Sequence, residues 1–250
     1  MTYPLLVLAL SFVALWLSEF IGASILRPHR DLDTGSREDF GIIVSATLTL
    51  LGLLIGFSFS MAISRYDQRK NYEEAEANAI GTEYLRADLL PAADAARVRV
   101  LLRKYLEQRV AFYTARDEQQ LRQVDASTAQ LQEELWSAVQ VPAAMQPNSP
   151  VVALVVSGMN DVLNSQGYTQ AAWWNRIPPA AWTLMAAIAV FCNVLVGYGA
   201  RGGRSKTYLS LVLPLVVAVA FYLIADLDSP RSGIIRVQPQ NLLSLSQSLH

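Results

Sequence analysis

Four stretches of this 250-residue chain are apolar and long enough to cross a lipid bilayer as helices. Nothing else in the sequence narrows the fold as much. A spanning helix takes about 20 consecutive, mostly apolar residues, and in hydrocarbon its backbone polar groups must all be satisfied within the segment. The stretches are 5–26, interrupted only by Glu19; 40–64 and 177–200, both uncharged; and 207–225, which runs into Asp226. Composition agrees: 52% of residues are hydrophobic and only 16% are charged, where a soluble domain carries about 25% charge. The start, Met-Thr-Tyr-Pro, has no basic n-region and the first apolar run is too long for an h-region. Residues 5–26 therefore read as a retained helix, not a cleaved signal.

The expected fold is an all-α integral membrane protein with four transmembrane helices in two hairpins. Residues 1–64 form the first hairpin, 65–176 an extramembrane insert, 177–227 the second hairpin and 228–250 a polar tail. The insert holds twelve of the twenty basic and fourteen of the twenty-one acidic residues. It is nonetheless patterned for helices. Val98, Leu101, Leu102, Tyr105, Leu106, Phe112 and Tyr113 recur at helical spacing. Leu121, Val124, Thr128, Leu131 and Leu135 follow a near-heptad, as do Val152, Val155, Met159 and Val162. Pro91 and the prolines between 142 and 150 are the expected breaks. Residues 66–90 contain no proline and one glycine, Gly81, so they continue the second span outward as one long helix. That continuity would let movement in the insert be felt by the span.

Several functions are excluded early. A net charge of −1 argues against a nucleic-acid footprint, which needs a basic face. One cysteine, Cys192, and two separated histidines, His29 and His250, leave no disulfide framework and no metal-ligand spacing. No phosphate-binding loop, nucleophile elbow or nucleophile–base pair is visible, so the chain does not read as an enzyme, and no cofactor is expected.

Charge does not orient the chain. Arg27, Arg30, Arg37, Arg201, Arg204 and Lys206 lie on the hairpin side, and Arg65, Arg69, Lys70, Arg176, Arg231 and Arg236 lie near the membrane on the insert side. Basic residues mark the cytoplasmic side, and here they balance.

In the second span Ser45, Thr49, Gly52, Gly56 and Ser60 share one helical face, flanked by Leu53 and Phe57. One reading is a pore wall, with hydroxyls that tolerate water and a Leu53/Phe57 constriction that gates by dewetting. The other is helix packing through Gly52-x-x-x-Gly56-x-x-x-Ser60. Glu19, the intramembrane acid, is either functional or close to the headgroups. Asp226 and Asp228 form a pore-mouth ion site or a polar helix end in which Arg231 pairs with a carboxylate. Arg65 draws anions to a vestibule or snorkels. Glu73, Glu74 and Glu76 read as a solvated face. Tyr168, Trp173, Trp174 and Trp182 read as an interfacial aromatic belt.

The chain resembles the bestrophin-like family of bacterial membrane proteins. The resemblance is carried by LIGFSFSMAISRY at 54–66, EAEANAIGTEYLRADLLP at 74–91, NRIPP at 175–179 and ADLDSPRSGIIRV at 225–237. More distantly it is similar to bestrophins proper, pentameric anion channels whose second transmembrane helix lines the pore. Gly56, Phe57, Arg65 and Tyr66 match the Gly-Phe and Arg-aromatic spacing of that helix. The resemblance implies a homo-oligomer, a pentamer by that likeness, embedded in membrane lipid and conducting small ions, anions by likeness. It places Thr49, Leu53 and Phe57 at the hydrophobic neck and puts the insert and both termini in the cytosol, with the chain a multi-pass protein of the bacterial cytoplasmic membrane. Thr49 departs from an all-apolar neck. No dense acidic run follows the fourth span, so calcium activation is not implied. The alternative function is a non-conducting scaffold or sensor whose insert binds a soluble partner. A third is a proton channel with Glu19 as carrier.

Overall fold

A computed structural model of the chain describes residues 4–26, 34–200 and 209–249. Arg27, Arg30, Arg201, Arg204, Lys206 and both histidines lie outside the described residues. Among the described residues every regular element is helical: α1 (Pro4–Ser24), α2 (Thr34–Arg86), α3 (Ala92–Thr114), α4 (Glu118–Met145), α5 (Pro150–Trp174), α6 (Pro179–Gly199), α7 (Val212–Asp228) and α8 (Gln240–Ser248). Short 3-10 turns at Ala87–Leu89 and Leu209–Leu211 follow α2 and precede α7. Three helical stretches, Pro4–Ser24, Gly35–Leu89 and Pro150–Gly199, are long and apolar enough to cross a membrane. The chain divides into two compact units, residues 1–66 with 176–236 and residues 67–175 with 237–250, and the boundary falls inside α2.

The first unit holds α1, the first part of α2, α6 and α7. Leu15, Leu51, Met185, Ala189, Cys192, Val217 and Phe221 form its main core, and Ala62, Ile177, Ile224 and Leu227 a second cluster. α1 and α6 approach closely through two glycines. A Cβ on Gly22 would fall on the Val194 carbonyl, and one on Gly197 on the Glu19 carbonyl. Small residues at such seams let backbones meet where lipid supplies no hydrophobic drive. The outer faces are apolar, with Leu5, Leu10, Phe20, Phe191 and Val216 all exposed.

The second unit is a helical bundle of the rest of α2 with α3, α4, α5 and α8. Helix starts follow local chemistry. The Asp117 side chain accepts the Gln120 amide at 2.7 Å to begin α4. Ser149 accepts from Val152, with Pro150 in the first turn of α5. Pro91 separates the 3-10 turn from α3 as expected. Pro142, however, lies inside α4, one turn before its end. The break after α4 falls at 146–149, beyond the proline. Val98, Leu102, Tyr105, Phe112, Leu135, Val155, Met159 and Val162 are buried, and Leu131 is half-buried.

Two sequence expectations need correction. Trp173 is no belt residue: it is 5% exposed, packed edge-on against Phe112 and Tyr113. Glu73 and Glu76 are not a solvated face. They are 1% and 0% exposed, because other helices supply donors to them; only Glu74 faces solvent.

Candidate functional site

The second span is held by one face only. Leu51, Ser58 and Ala62 are buried, with Leu48, Leu54, Ile55 and Phe59 packed on the cores beside them. The opposite face is bare within the subunit. Ser45, Thr49, Gly52, Gly56 and Ser60 are exposed, Leu53 is 53% and Phe57 68% exposed, and a Cβ built on Gly52 or Gly56 would meet nothing within 4 Å. The small residues therefore do not pack against another helix of their own subunit. Thr49 Oγ1 donates to the Ser45 carbonyl at 2.8 Å, which satisfies its proton within the helix and leaves oxygen lone pairs facing outward.

At the end of this segment of α2, Arg65 Nη1 reaches Asp228 Oδ1 at 3.4 Å. Asp228 also accepts the Ile177 amide, at 3.0 and 3.2 Å to its two oxygens. Asp226 accepts the Ile234 amide at 2.7 Å and the Ile235 amide at 2.8 Å, closing the chain back over the end of α7. This return loop needs Gly233, where a Cβ would sit 2.6 Å from the Asp226 carbonyl. Both carboxylates are thus committed to the backbone, and Asp228 neutralises Arg65 and not only the nearby loop. Arg231 is engaged as well. Glu19 is 5% exposed on α1, with Oε2 buried and given no hydrogen bond. On α6 the Asn193 amide nitrogen donates to the Ala189 carbonyl at 2.8 Å, leaving its buried Oδ1 without a donor.

The second unit contains a group of residues that periodicity of apolar positions did not single out. Along α2, Arg69, Glu73, Glu76, Ile80 and Glu83 recur at four- and three-residue steps and are all buried. Arg69 donates to the carbonyls of Ala172 and Asn175, each at 3.2 Å, capping the end of α5. Glu73 accepts the Asn241 and Leu242 amides at 2.9 and 3.0 Å and the Asn241 side chain at 2.7 Å, capping the start of α8. Glu76 pairs with fully buried Arg109 and receives the Tyr113 and Thr169 hydroxyls at 3.4 and 3.3 Å. Burial opposes the charge on Arg109, yet Glu76 beside it holds its pKa above the ordinary value. The guanidinium also lies 4.5 Å from the Phe112 ring centre. The signal in the sequence was a heptad phase of charged residues on a helix that continues a membrane span.

A bestrophin-like domain matches residues 5–242. No curated protein matches the chain significantly. Among solved structures, a tryptophan-to-alanine variant of a bacterial bestrophin homologue from Klebsiella pneumoniae superposes with a TM-score of 0.69 at 14% identity, covering 100% of this chain and 97% of that one. The same homologue solved by zinc phasing gives 0.65 at 14% identity, covering 98% and 95%. A further crystal structure, of a glycine-to-alanine variant described as a membrane protein, gives 0.67 at 14% identity, covering 98% and 96%.

Proposed function

The chain belongs to the bestrophin-like family, and from that premise we propose that it is an oligomeric ion channel of the bacterial cytoplasmic membrane, with α2 lining the pore. Four spans in two hairpins carry it, α7 being the fourth. The observation that supports this reading most is the bare face of α2. A lipid-facing helix is expected to be evenly apolar, whereas this one turns Ser45, Thr49, Gly52, Gly56 and Ser60 outward between Leu53 and Phe57. Repeated around an oligomer axis, Leu53 and Phe57 form a hydrophobic constriction that excludes water without closing, with Thr49 and Ser60 on either side of it. The family resemblance favours anions. Arg65 adds no net attraction for them, since Asp228 neutralises it in the same subunit. Asp226 and Asp228 act as builders of the α7 exit, and Glu19 stays inside the subunit, away from the pore.

Bilayer recordings with ion substitution test the reading. Leu53→Ala and Phe57→Ala should raise conductance or cause leak, while Leu54→Ala, on the packed side, should leave current unchanged. If all three lose stability and none changes current, the face is a packing surface and the channel reading fails.

A second reading rests on a different observation. Where α4 passes to α5, a cavity of about 410 Å³ is lined by Trp136, Gln146, Val152, Val156 and Asn160 among others. Val141, Met145, Val151 and Leu154 of the same two helix ends are exposed. A scaffold or sensor that binds a soluble partner through the second unit would use this surface. A purified protein that passes no current in any ion mixture would favour it.

A further inference from the structure

Three acids of one face of α2 are buried in the second unit. Glu73 receives three hydrogen bonds and Glu76 receives Arg109 and two hydroxyls. Glu83, two turns beyond Glu76 and 0% exposed, receives none, and both its oxygens are buried without a partner. A carboxylate that is taken out of water and given no donor is costly enough that the group keeps its proton instead.

The surroundings sharpen the point. Across from Glu83 lies Gly158 of α5. A Cβ there would run into both the Glu83 carboxyl and the Arg86 guanidinium, so the two groups crowd the bare Cα of Gly158. Arg86, three residues on in α2, is the cation that acts on Glu83, and Asp161 of α5 is the opposing anion. Asp88 of the following 3-10 turn has its charge taken up by Arg99 of α3. α8, which sets Leu245 against Gly81, carries no ionisable residue.

We propose that Glu83 is a proton-binding site that locks the α2–α5 seam of the second unit. With the proton on, a neutral carboxyl sits against Gly158 and α5 closes over it. With the proton lost to water, a buried negative charge stands between Arg86 and Asp161 with no hydrogen bond to hold it. The seam then has to loosen, either for Arg86 to turn in or for water to enter. Burial, followed by Asp161 and opposed by Arg86, raises the carboxyl from 4.5 to about 8, so the change falls within reach of cellular pH.

The sign follows from linkage. The folded state binds the proton more tightly than the unfolded one, so this stabilisation is complete below 4.5 and is lost as pH rises to about 8. The experiment uses the detergent-purified full chain. In the wild type the melting temperature should fall across that window. The infrared band of a protonated carboxyl should disappear over the same range. In Glu83→Gln, which fixes the neutral form with the same shape, the fall should flatten and the Glu83 component of that band should be missing. Asp161→Asn, at an exposed position, should move the window to lower pH by removing the neighbouring charge. A Glu83→Gln protein whose melting still falls in parallel with the wild type would overturn the proposal. So would an Asp161→Asn protein with an unmoved window. None of these readouts depends on conduction.

Discussion

Arg109 and Glu76 show what one residue can decide in the second unit. Both are fully buried, and a buried pair is expensive to create but more expensive to break, since removing one partner strands the other charge. Arg109→Met keeps much of the volume and leaves Glu76 with two hydroxyl donors. It should lower stability by about 3–5 kcal/mol, read as a lower melting temperature in detergent. Adding Glu76→Gln to it should recover a large part of the loss, because a neutral amide no longer requires the guanidinium. If the double variant melts no higher than the single one, the loss comes from packing over Phe112 and not from charge. Gly158 belongs to the same scale. Gly158→Ala places a methyl on Glu83 and Arg86, and overpacking of this kind costs about 1–3 kcal/mol; an unchanged melting temperature would show that both side chains can swing aside freely.

Among the elements, α8 is the most dependent on others. A nine-residue helix is too short to stand alone in water. It is held by Leu242, fully buried, and by Glu73 across its first turn. Glu73→Ala removes a helix cap worth about 1–2 kcal/mol, so hydrogen exchange should accelerate across 240–248 while α3 and α4 keep their protection. Acceleration everywhere would mean that Glu73 supports the whole bundle. The α1–α6 seam is the corresponding contact of the first unit. Gly197→Leu would drive a side chain into the Glu19 carbonyl, where only backbone movement can relieve it. The expected result is a poorly assembled protein, whereas Gly52→Ala, facing open space in the subunit, should melt normally as an isolated protomer.

Orientation in the membrane and the assembly of copies belong to the scale of the whole molecule. The balance of basic residues leaves orientation undecided, and the proposal drawn from the family resemblance is that both termini are inside. A reporter fused after His250 should be active only as a cytoplasmic reporter, and activity of a periplasmic one there would reverse the topology. The bare α2 face predicts self-association. Cysteine pairs placed at Leu53 should cross-link between subunits in native membranes, and a strictly monomeric pattern would remove the axis on which the pore reading depends.

Some of this was legible before any coordinates. Bilayer thickness alone turns apolar runs into spans, so α1, the first half of α2 and α6 follow from length and hydropathy. The 3.6-residue period fixes which side of α3 and α5 is apolar, and Val98, Leu102, Val155 and Met159 are buried accordingly. The fate of the charges was not legible. A heptad of Arg69, Glu73, Glu76 and Glu83 reads as a wet stripe until α3, α5 and α8 bring hydrogen-bond partners to three of its four members. Asp228 lies three residues from Arg231, but no local pattern announces its contact with Arg65, 163 positions earlier. The reason is physical. Apolar burial depends on area and repeats with the helix, so a local pattern reports it. Burial of a charge depends on whether one particular group, distant in sequence, arrives within about 3 Å, and only the folded chain brings that group there.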